Sequence, residues 1–319
     1  MHYRRLGRSG LKVSEISLGA WVTFGNQIDE QAASDLIHAA YEQGVNFFDN
    51  ADMYAEGKAE EMMGKAIQDL PREALVISSK VFWPMMPGPN GRGLSRKHIM
   101  ESIHASLRRL GTDYVDLYFC HRFDPDTPLE EVVRSMDDLV HQGKILYWGT
   151  SEWEAAQVSQ AWGVARQFNL VPPSMEQPRY NLFDRKRVEL DLAPLCKEFG
   201  IGLTTFSPLA YGLLSGKYND GIPANSRAAM SDMGWMRESY IPDRVATVRR
   251  LTALAVELGL TTAQLALAWI LRRKEISSVI TGATRVEQLD ENLAAAEAVE
   301  KLTDDVLERI EKIVGNLPE

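Results

Sequence analysis

Leu75-Val76-Ile77-Ser78-Ser79-Lys80, Val115-Asp116-Leu117-Tyr118-Phe119-Cys120-His121 and Ile145-Leu146-Tyr147-Trp148-Gly149-Thr150-Ser151 are short, largely apolar runs, each closing on a polar side chain. Between them, residues 95–109 and 129–142 carry apolar side chains at helical spacing. Runs such as Val76-Ile77, apolar on consecutive residues, are expected of strands buried on both faces. Strands of this kind alternating with helices make a parallel sheet covered by helices. The alternation extends in both directions. Further strands are predicted at residues 16–19, 46–49, 174–177, 202–207 and 278–282. Helical patterns cover residues 30–43, 59–70, 154–168, 188–199 and 243–272, and residues 286–298 and 303–314 close the chain. Helix ends are marked by Gln43-Gly44, Gln142-Gly143, Phe199-Gly200 and Leu258-Gly259. Residues 3–6 and 11–13, around Arg8-Ser9-Gly10, read as a small N-terminal β-hairpin.

About eight βα units in a row predict a (β/α)8 TIM barrel. A doubly wound sheet would carry a GxGxxG turn after an early strand. Gly88-Pro89-Asn90-Gly91-Arg92-Gly93 has the wrong spacing and follows no strand directly. No linker, repeat or change of composition divides the 319 residues, so one domain is expected over 1–319. Its longest irregular piece is the loop after the seventh strand, residues 208–240, and loops of that length usually serve function.

Composition narrows the partners. The net charge is −9, which argues against a protein built to grip nucleic-acid phosphates. The chain is 45% hydrophobic and 25% charged, as a globular domain is. Its two cysteines, Cys120 and Cys196, form no CxxC pair, which excludes a zinc ribbon and a disulfide scaffold. A reducing, cytoplasmic compartment is the simplest expectation. Met1-His2-Tyr3-Arg4-Arg5 leads into no apolar run, so neither a signal peptide nor membrane insertion is expected.

Barrels of this class build their active sites at the C-terminal ends of the strands. Asp49, Lys80, His121, Ser151, Gln177 and Ser207 end strands there, with Tyr54 and Glu152 just beyond. The first three together with Tyr54 make chemical sense as a set. A tyrosine titrates near ~10 and is a poor acid at neutral pH. A nearby ammonium, Lys80, is expected to lower that value, with Asp49 holding Lys80 charged and oriented. His121 can hydrogen-bond a carbonyl oxygen beside Tyr54. Such a set polarises a carbonyl and protonates the alkoxide that forms when hydride arrives, and the hydride must come from a cofactor. Cys120 beside His121 is no Cys/His nucleophile, because neighbours on a strand point to opposite faces. Gly212-Leu213-Leu214-Ser215-Gly216-Lys217-Tyr218 lacks the spacing and the Ser/Thr of a phosphate loop. The scattered histidines, without an HExxH, make a metal site unexpected.

Phe48-Asp49-Asn50-Ala51-Asp52-Met53-Tyr54, Ser79-Lys80 and Cys120-His121 resemble the catalytic signatures of the aldo-keto reductase family. The resemblance spans nearly the whole chain and is closest to the branch containing the potassium-channel β subunits. It is carried by Trp21-Val22-Thr23-Phe24-Gly25, Gly93-Leu94-Ser95-Arg96-Lys97-His98, Tyr147-Trp148-Gly149-Thr150-Ser151, residues 164–170 and Ser215-Gly216-Lys217-Tyr218. It implies a catalytic tetrad of Asp49, Tyr54, Lys80 and His121. Channel β subunits carry Asn at the position of His121, so the intact set resembles a working reductase more than a channel accessory.

The resemblance further implies an extended NADPH/NADP+ cofactor over the barrel mouth, with NADPH favoured over NADH. Ser151, Glu152, Asp49 and Gln177 match positions at the nicotinamide, Phe206 matches the residue stacked on its ring, and Trp21 and Gln27 lie near that end. Ser207, Leu209 and Gly212 match the loop under the pyrophosphate, and Lys217 and Arg227 its basic clamp. Gly282, Thr284, Gln288, Glu291 and Asn292 match the segment at the adenosine end, where Arg285 adds a further cation. Many relatives have Asn or Arg at Glu152 and Arg at Gln288. Aromatic residues after strand ends would wall an apolar carbonyl pocket, with Trp21, Trp83 and Tyr211 foremost. The expected activity is NADPH-dependent reduction of aldehydes and reactive ketones. The expected partner is a small carbonyl substrate, and the resemblance allows a homo-tetramer. The competing reading is an NADP(H)-binding regulatory, redox-sensing subunit similar to the channel β subunits.

Overall fold

The computed structural model describes residues 1–318 except 225, 231–233, 235–236 and 238–239, and leaves aside the Arg227 side chain. Eight parallel strands close into a barrel: β3 (Ile16–Gly19), β4 (Phe47–Asp49), β5 (Val76–Val81), β6 (Val115–Cys120), β7 (Ile145–Ser151), β8 (Met175–Gln177), β9 (Gly202–Thr205) and β10 (Ile276–Thr281). Consecutive strands are neighbours, and β10 returns to pair with β3 through Val279–Ile16, Ile280–Ser17 and Thr281–Leu18. The fold is the expected (β/α)8 barrel.

Strand alternation sorts the side chains into two cores. Phe47, Val76, Leu117, Phe119, Met175 and Ile280 fill the barrel interior, while Phe48, Ile77, Tyr118 and Trp148 join the layer under the helices. The interior is sealed below by the hairpin of β1 (Tyr3–Arg5) and β2 (Lys12–Ser14), whose Leu6 and Val13 belong to the same inner cluster. That seal depends on close backbone approach. A Cβ on Gly7 would stand 2.2 Å from the Gly200 carbonyl oxygen, and one on Gly202 would stand 2.4 Å from the Gly7 nitrogen. Arg4 locks the hairpin further by donating to the carbonyls of Leu271 (2.7 Å), Arg273 (2.9 Å) and Ile276 (3.0 Å).

The helices that cover the strands are α1 (Glu30–Glu42), α2 (Lys58–Ala66), α3 (Arg96–Leu110), α4 (Leu129–His141), α5 (Ala155–Phe168), α6 (Ala193–Phe199), α7 (Pro242–Glu257) and α8 (Thr262–Leu271). After the barrel come α9 (Val286–Leu293) and α10 (Asp304–Val314). Their starts follow the expected chemistry: Asp29, Ser95, Thr261 and Thr303 cap α1, α3, α8 and α10 by accepting a backbone N–H. Several helical patterns depart from their expected bounds; residues 188–199, for one, begin as a π-helix over Arg187–Leu192 before α6. Residues 243–272 split at Leu258-Gly259 into α7 and α8, which meet at 88°, because Gly259 adopts a left-handed φ of 65° that no helix continues. Residues 286–298 leave the α-helix after Leu293 and tighten into 3-10 turns over Ala294–Lys301. Among the described residues no single helix is long and apolar enough to cross a membrane, and only the bent pair α7 and α8 passes jointly.

Between the barrel and α2 and α3 lies a buried polar cluster that the hydrophobic pattern does not announce. Glu60 accepts from Ser79 (2.6 Å) and Arg109 (2.7 Å), and Ser102 donates to Asp52 (3.0 Å). Asp52 Oδ1 is buried without a hydrogen-bond partner among the described residues, and burial beside Glu60 pushes its carboxyl up to about 8. Below its ordinary 3.8 both folded and unfolded chains hold this proton. Between that value and about 8 only the fold keeps it, so its contribution to stability falls as pH rises through that window. Asp52→Asn is therefore expected to raise Tm relative to wild type more at pH 8 than at pH 5. Equal differences at the two pH values, read by thermal unfolding, would contradict a protonated Asp52.

Candidate active site

Inward parity continues to the mouth of the barrel. Two residues beyond Phe47, Leu117 plus Phe119, and Met175 come Asp49, His121 and Gln177, and two beyond Ser78 comes Lys80. The closed ring thus gathers polar side chains from separate strands into one layer above the apolar interior. Lys80 is fully buried there, with its Nζ 5.8 Å from the centre of the Phe119 ring.

Three oxygens hold that ammonium. Lys80 Nζ donates to Asp49 Oδ2 (2.7 Å), to the Asn50 carbonyl (2.7 Å) and to the Tyr54 hydroxyl (3.3 Å). The other Asp49 oxygen accepts from Ser78 Oγ (2.8 Å) and Gln177 Nε2 (3.0 Å), so both ends of the carboxylate are bonded. Because the phenolic oxygen accepts from Lys80, the phenolic hydrogen stays available to a group in the cavity. A strained turn directly follows Tyr54. Ala55 (φ 48°) and Glu56 (φ 55°) are both left-handed, which L-residues adopt only when their surroundings demand it.

The proton affinities differ from the expectation at one residue. Tyr54 is pushed well above its ordinary value, first by burial and then by the Asp49 charge, with Arg122 opposing. The expected lowering by Lys80 is not the outcome, because the neighbouring carboxylate and the loss of water work the other way. Lys80 is itself lowered by burial, with Asp49 opposing. His121 is lowered well below 6.5 by burial, Lys80 and Arg122, so its ring is neutral. The ring lies 5.9 Å from Tyr54, edge to face, and its buried Nδ1 has no hydrogen-bond partner among the described residues. Cys120 points into the helix layer, where burial raises its thiol, as strand alternation requires.

A cavity of about 920 Å³ opens above this layer. Asp49, Tyr54 and His121 form its floor, with Lys80 sealed beneath. Trp21, Gln27, Ser151, Glu152, Gln177 and Phe206 line it, as do Ser207, Leu209, Gly212 and Lys217. Gly282, Thr284, Arg285, Gln288, Glu291 and Asn292 extend it past β10. Trp83 and Tyr211 stand on its wall. The Arg227 side chain lies outside the described residues. The structure thus brings together residues from Trp21 to Asn292, far apart in sequence.

Several of these side chains are already engaged. Ser151 Oγ donates to the Gln177 carbonyl (3.0 Å). Glu152, at a left-handed φ of 58°, accepts from the Arg179 backbone N–H (2.8 Å) and pairs with Arg187 (3.0 Å). Gln288 accepts from the Thr284 N–H (2.9 Å) and hydroxyl (3.0 Å) and so ties down the start of α9. Of the other aromatic and methionine side chains after strand ends, Trp153 and Phe82 are core and Met86 is exposed. Among the cavity residues that escaped the sequence reading are two cations, Arg122 and Arg179. Both directly follow strand-end positions, His121 and Gln177-Pro178, and their place in the barrel count is the signal that would have found them.

The aldo/keto reductase family profile matches residues 15–314. The chain is 51% identical over its full length to the "Probable voltage-gated potassium channel subunit beta" of Arabidopsis thaliana, covering 98% of that protein. It is 50% identical to the protein of the same name from Oryza sativa subsp. japonica, again over all of this chain and 98% of that one.

Removing one partner of a buried ion pair leaves the other uncompensated, at about 3–5 kcal/mol. Lys80→Met and Asp49→Asn are each expected to lower the urea-unfolding free energy by an amount of that order. The double variant is expected to lose clearly less than the sum, giving a coupling energy above ~1 kcal/mol. Additive losses would deny the pairing.

Proposed function

The chain belongs to the aldo/keto reductase family, and from that premise we propose that it reduces aldehydes and reactive ketones to alcohols with NADPH. One observation carries this reading: the Asp49–Lys80–Tyr54 chain of hydrogen bonds, sealed at one end and facing the cavity beside His121 at the other. The family membership supports an oxidoreductase, and the family generally uses NADP(H).

The cavity suits that cofactor on its own features. It is long, about 920 Å³, near the upper end of small-molecule sites. It offers a flat ring, Phe206, at one end, with Trp21 edge-on at 6.2 Å. Beyond it the backbone turns left-handed at Ser207 (φ 51°), Ala210 (φ 47°), Tyr211 (φ 58°) and Gly212 (φ 93°), a path that follows the cavity wall toward Lys217. Lys217, Arg285 and the N-terminus of α9 supply positive charge where a phosphate would rest. We assign the nicotinamide end to Trp21, Gln27, Asp49, Ser151, Glu152, Gln177 and Phe206. The pyrophosphate goes to Ser207, Leu209, Gly212, Lys217 and Arg227, and the adenosine end to Gly282, Thr284, Gln288, Glu291 and Asn292. When bound, the cofactor supplies a hydride to the carbonyl carbon.

The side chains do the rest. Neutral His121 donates a hydrogen bond to the carbonyl oxygen, which polarises the carbonyl and turns its carbon toward the cofactor side of the cavity. Tyr54 holds its proton throughout the neutral range and releases it to the oxygen as negative charge grows there, since an alkoxide is a far stronger base than a phenolate. Lys80 lies 3.3 Å from the phenolic oxygen and stabilises the phenolate left behind, while Asp49 keeps that ammonium in position. Trp21, Trp83 and Tyr211 shield the oxygen from water.

A second reading, a cofactor-occupied regulatory subunit that senses the NADPH/NADP+ ratio, is favoured by the names of the two plant relatives. His121 and Tyr54 argue for catalysis. Tyr54→Phe separates the two. It is expected to lower kcat by ~10²–10⁴, the usual worth of a general acid, while NADPH binding by fluorescence is retained. A wild type that oxidises no NADPH across a broad aldehyde and dicarbonyl panel would leave the regulatory reading. The rate of reduction is also expected to show no ionisation near pH 6.5, because His121 stays neutral until the pH falls far below that value. A limb at 6.5 that disappears in His121→Asn would contradict it.

A further inference from the structure

Arg122 follows His121 at the mouth end of β6 and lines the cavity. Its guanidinium lies over the Trp83 ring, 5.6 Å from the centroid, and one N–H donates to the His121 carbonyl (2.5 Å). Trp83 is edge-on to His121 at 6.3 Å, and His121 to Tyr54 at 5.9 Å. A partly buried cation therefore borders the spot where a carbonyl must sit for Tyr54 to protonate it.

The charges around it are spoken for. Among the described residues no carboxylate comes within 4.0 Å of Arg122. The two that act on it from further away, Glu152 and Glu176, are paired with Arg187 at 3.0 and 3.3 Å. The Arg179 guanidinium is engaged by the Tyr211 hydroxyl (3.0 Å) and lies 3.9 Å from Asp184. A guanidinium partly removed from water without a counter-charge is unfavourable. It also carries five N–H donors in a planar fork that matches a carboxylate with two parallel bonds.

The cofactor is not the missing anion. Lys217 follows β9 and Arg285 follows β10, whereas Arg122 follows β6. In the closed ring of eight strands β6 and β10 are four places apart, on opposite sides of the mouth.

We infer that Arg122 is a specificity-determining residue that selects carbonyl substrates bearing a carboxylate, with Trp83 as the apolar platform between the two groups. This rests on the reductase reading above. It names a substrate class: oxo acids and semialdehydes whose carboxylate reaches Arg122 while the carbonyl lies at Tyr54 and His121.

The test compares 4-formylbenzoate with its methyl ester, which lacks the charge and carries one more methyl group. The readout is the ratio of the two kcat/KM values, so a general effect of a substitution divides out. Wild type is expected to favour the carboxylate at least tenfold. Arg122→Met is expected to lower that ratio at least tenfold, about 1.4 kcal/mol, and Arg122→Lys to lower it less. A second measurement needs no turnover: calorimetric binding of 4-methylbenzoate, which cannot be reduced, to the full chain with NADP+. Its Kd is expected to weaken at least tenfold in Arg122→Met. A wild-type ratio at or below one, or a ratio and Kd untouched by Arg122→Met, overturns the inference while leaving the reductase reading intact. Binding that depends on Arg122 without turnover of either aldehyde would instead uphold the anion site and remove the reductase reading.

Discussion

A lysine ammonium with 0% of its side chain exposed, 2.7 Å from a carboxylate only 3% exposed, is the constraint on which the mouth of this barrel depends. Neither charge is tolerable there without the other. The pair is possible only because β4 and β5 run side by side in register, so that Asp49 and Lys80 both project inward above the apolar plug of Phe47, Val76 and Phe119. Closure of the ring brings Gln177 from β8 to the second carboxylate oxygen, across 128 positions of sequence. The hairpin below contributes as well. By sealing the opposite end with Leu6 and Val13, it keeps the interior dry enough for the pair to matter.

The pair also orders the chain that follows it. Lys80 bonds the Asn50 carbonyl, Asp52 accepts a bond from α3, and just after Tyr54 the backbone passes through left-handed turns at Ala55 and Glu56. These ties on both sides hold Tyr54 at the ammonium. Electrostatically the arrangement is one of restraint. Burial and Asp49 keep the phenol protonated, while burial and two cations keep His121 neutral. Two hydrogen-bond donors thus face the cavity without two charges, an environment suited to a neutral carbonyl that becomes negative only as it reacts.

Much of this was legible in the sequence. Runs such as Val76-Ile77 and Leu117–Phe119 announced strands buried on both faces, and counting them gave the barrel. Because parallel barrels place function at strand ends, Asp49, Lys80, His121, Ser151 and Gln177 stand out from the sequence, and four of them line one cavity with Lys80 buried directly beneath. What stayed hidden depends on surroundings that period and propensity do not encode. The direction of the Tyr54 shift turns on how much water Asp49 and the tyrosine lose together. The Asp52, Glu60, Ser102 and Arg109 cluster looks in sequence like ordinary helix-surface polarity. Arg122 reads as one more charged loop residue until Glu152 and Glu176 are seen to be held by Arg187. The break at Gly259 was marked by its glycine, but the 88° turn it permits comes from packing on the barrel.

The most direct measurement follows the hydrogen itself. The full chain is incubated with NADPH deuterated at the transferable C4 position and an aromatic aldehyde, and the products are analysed by mass spectrometry. A catalytic barrel should yield one alcohol for each NADPH consumed, with a single deuterium on its carbinol carbon, and Tyr54→Phe should slow that yield without altering where the label goes. NADPH that stays bound and unoxidised while the aldehyde persists unlabelled would contradict the account.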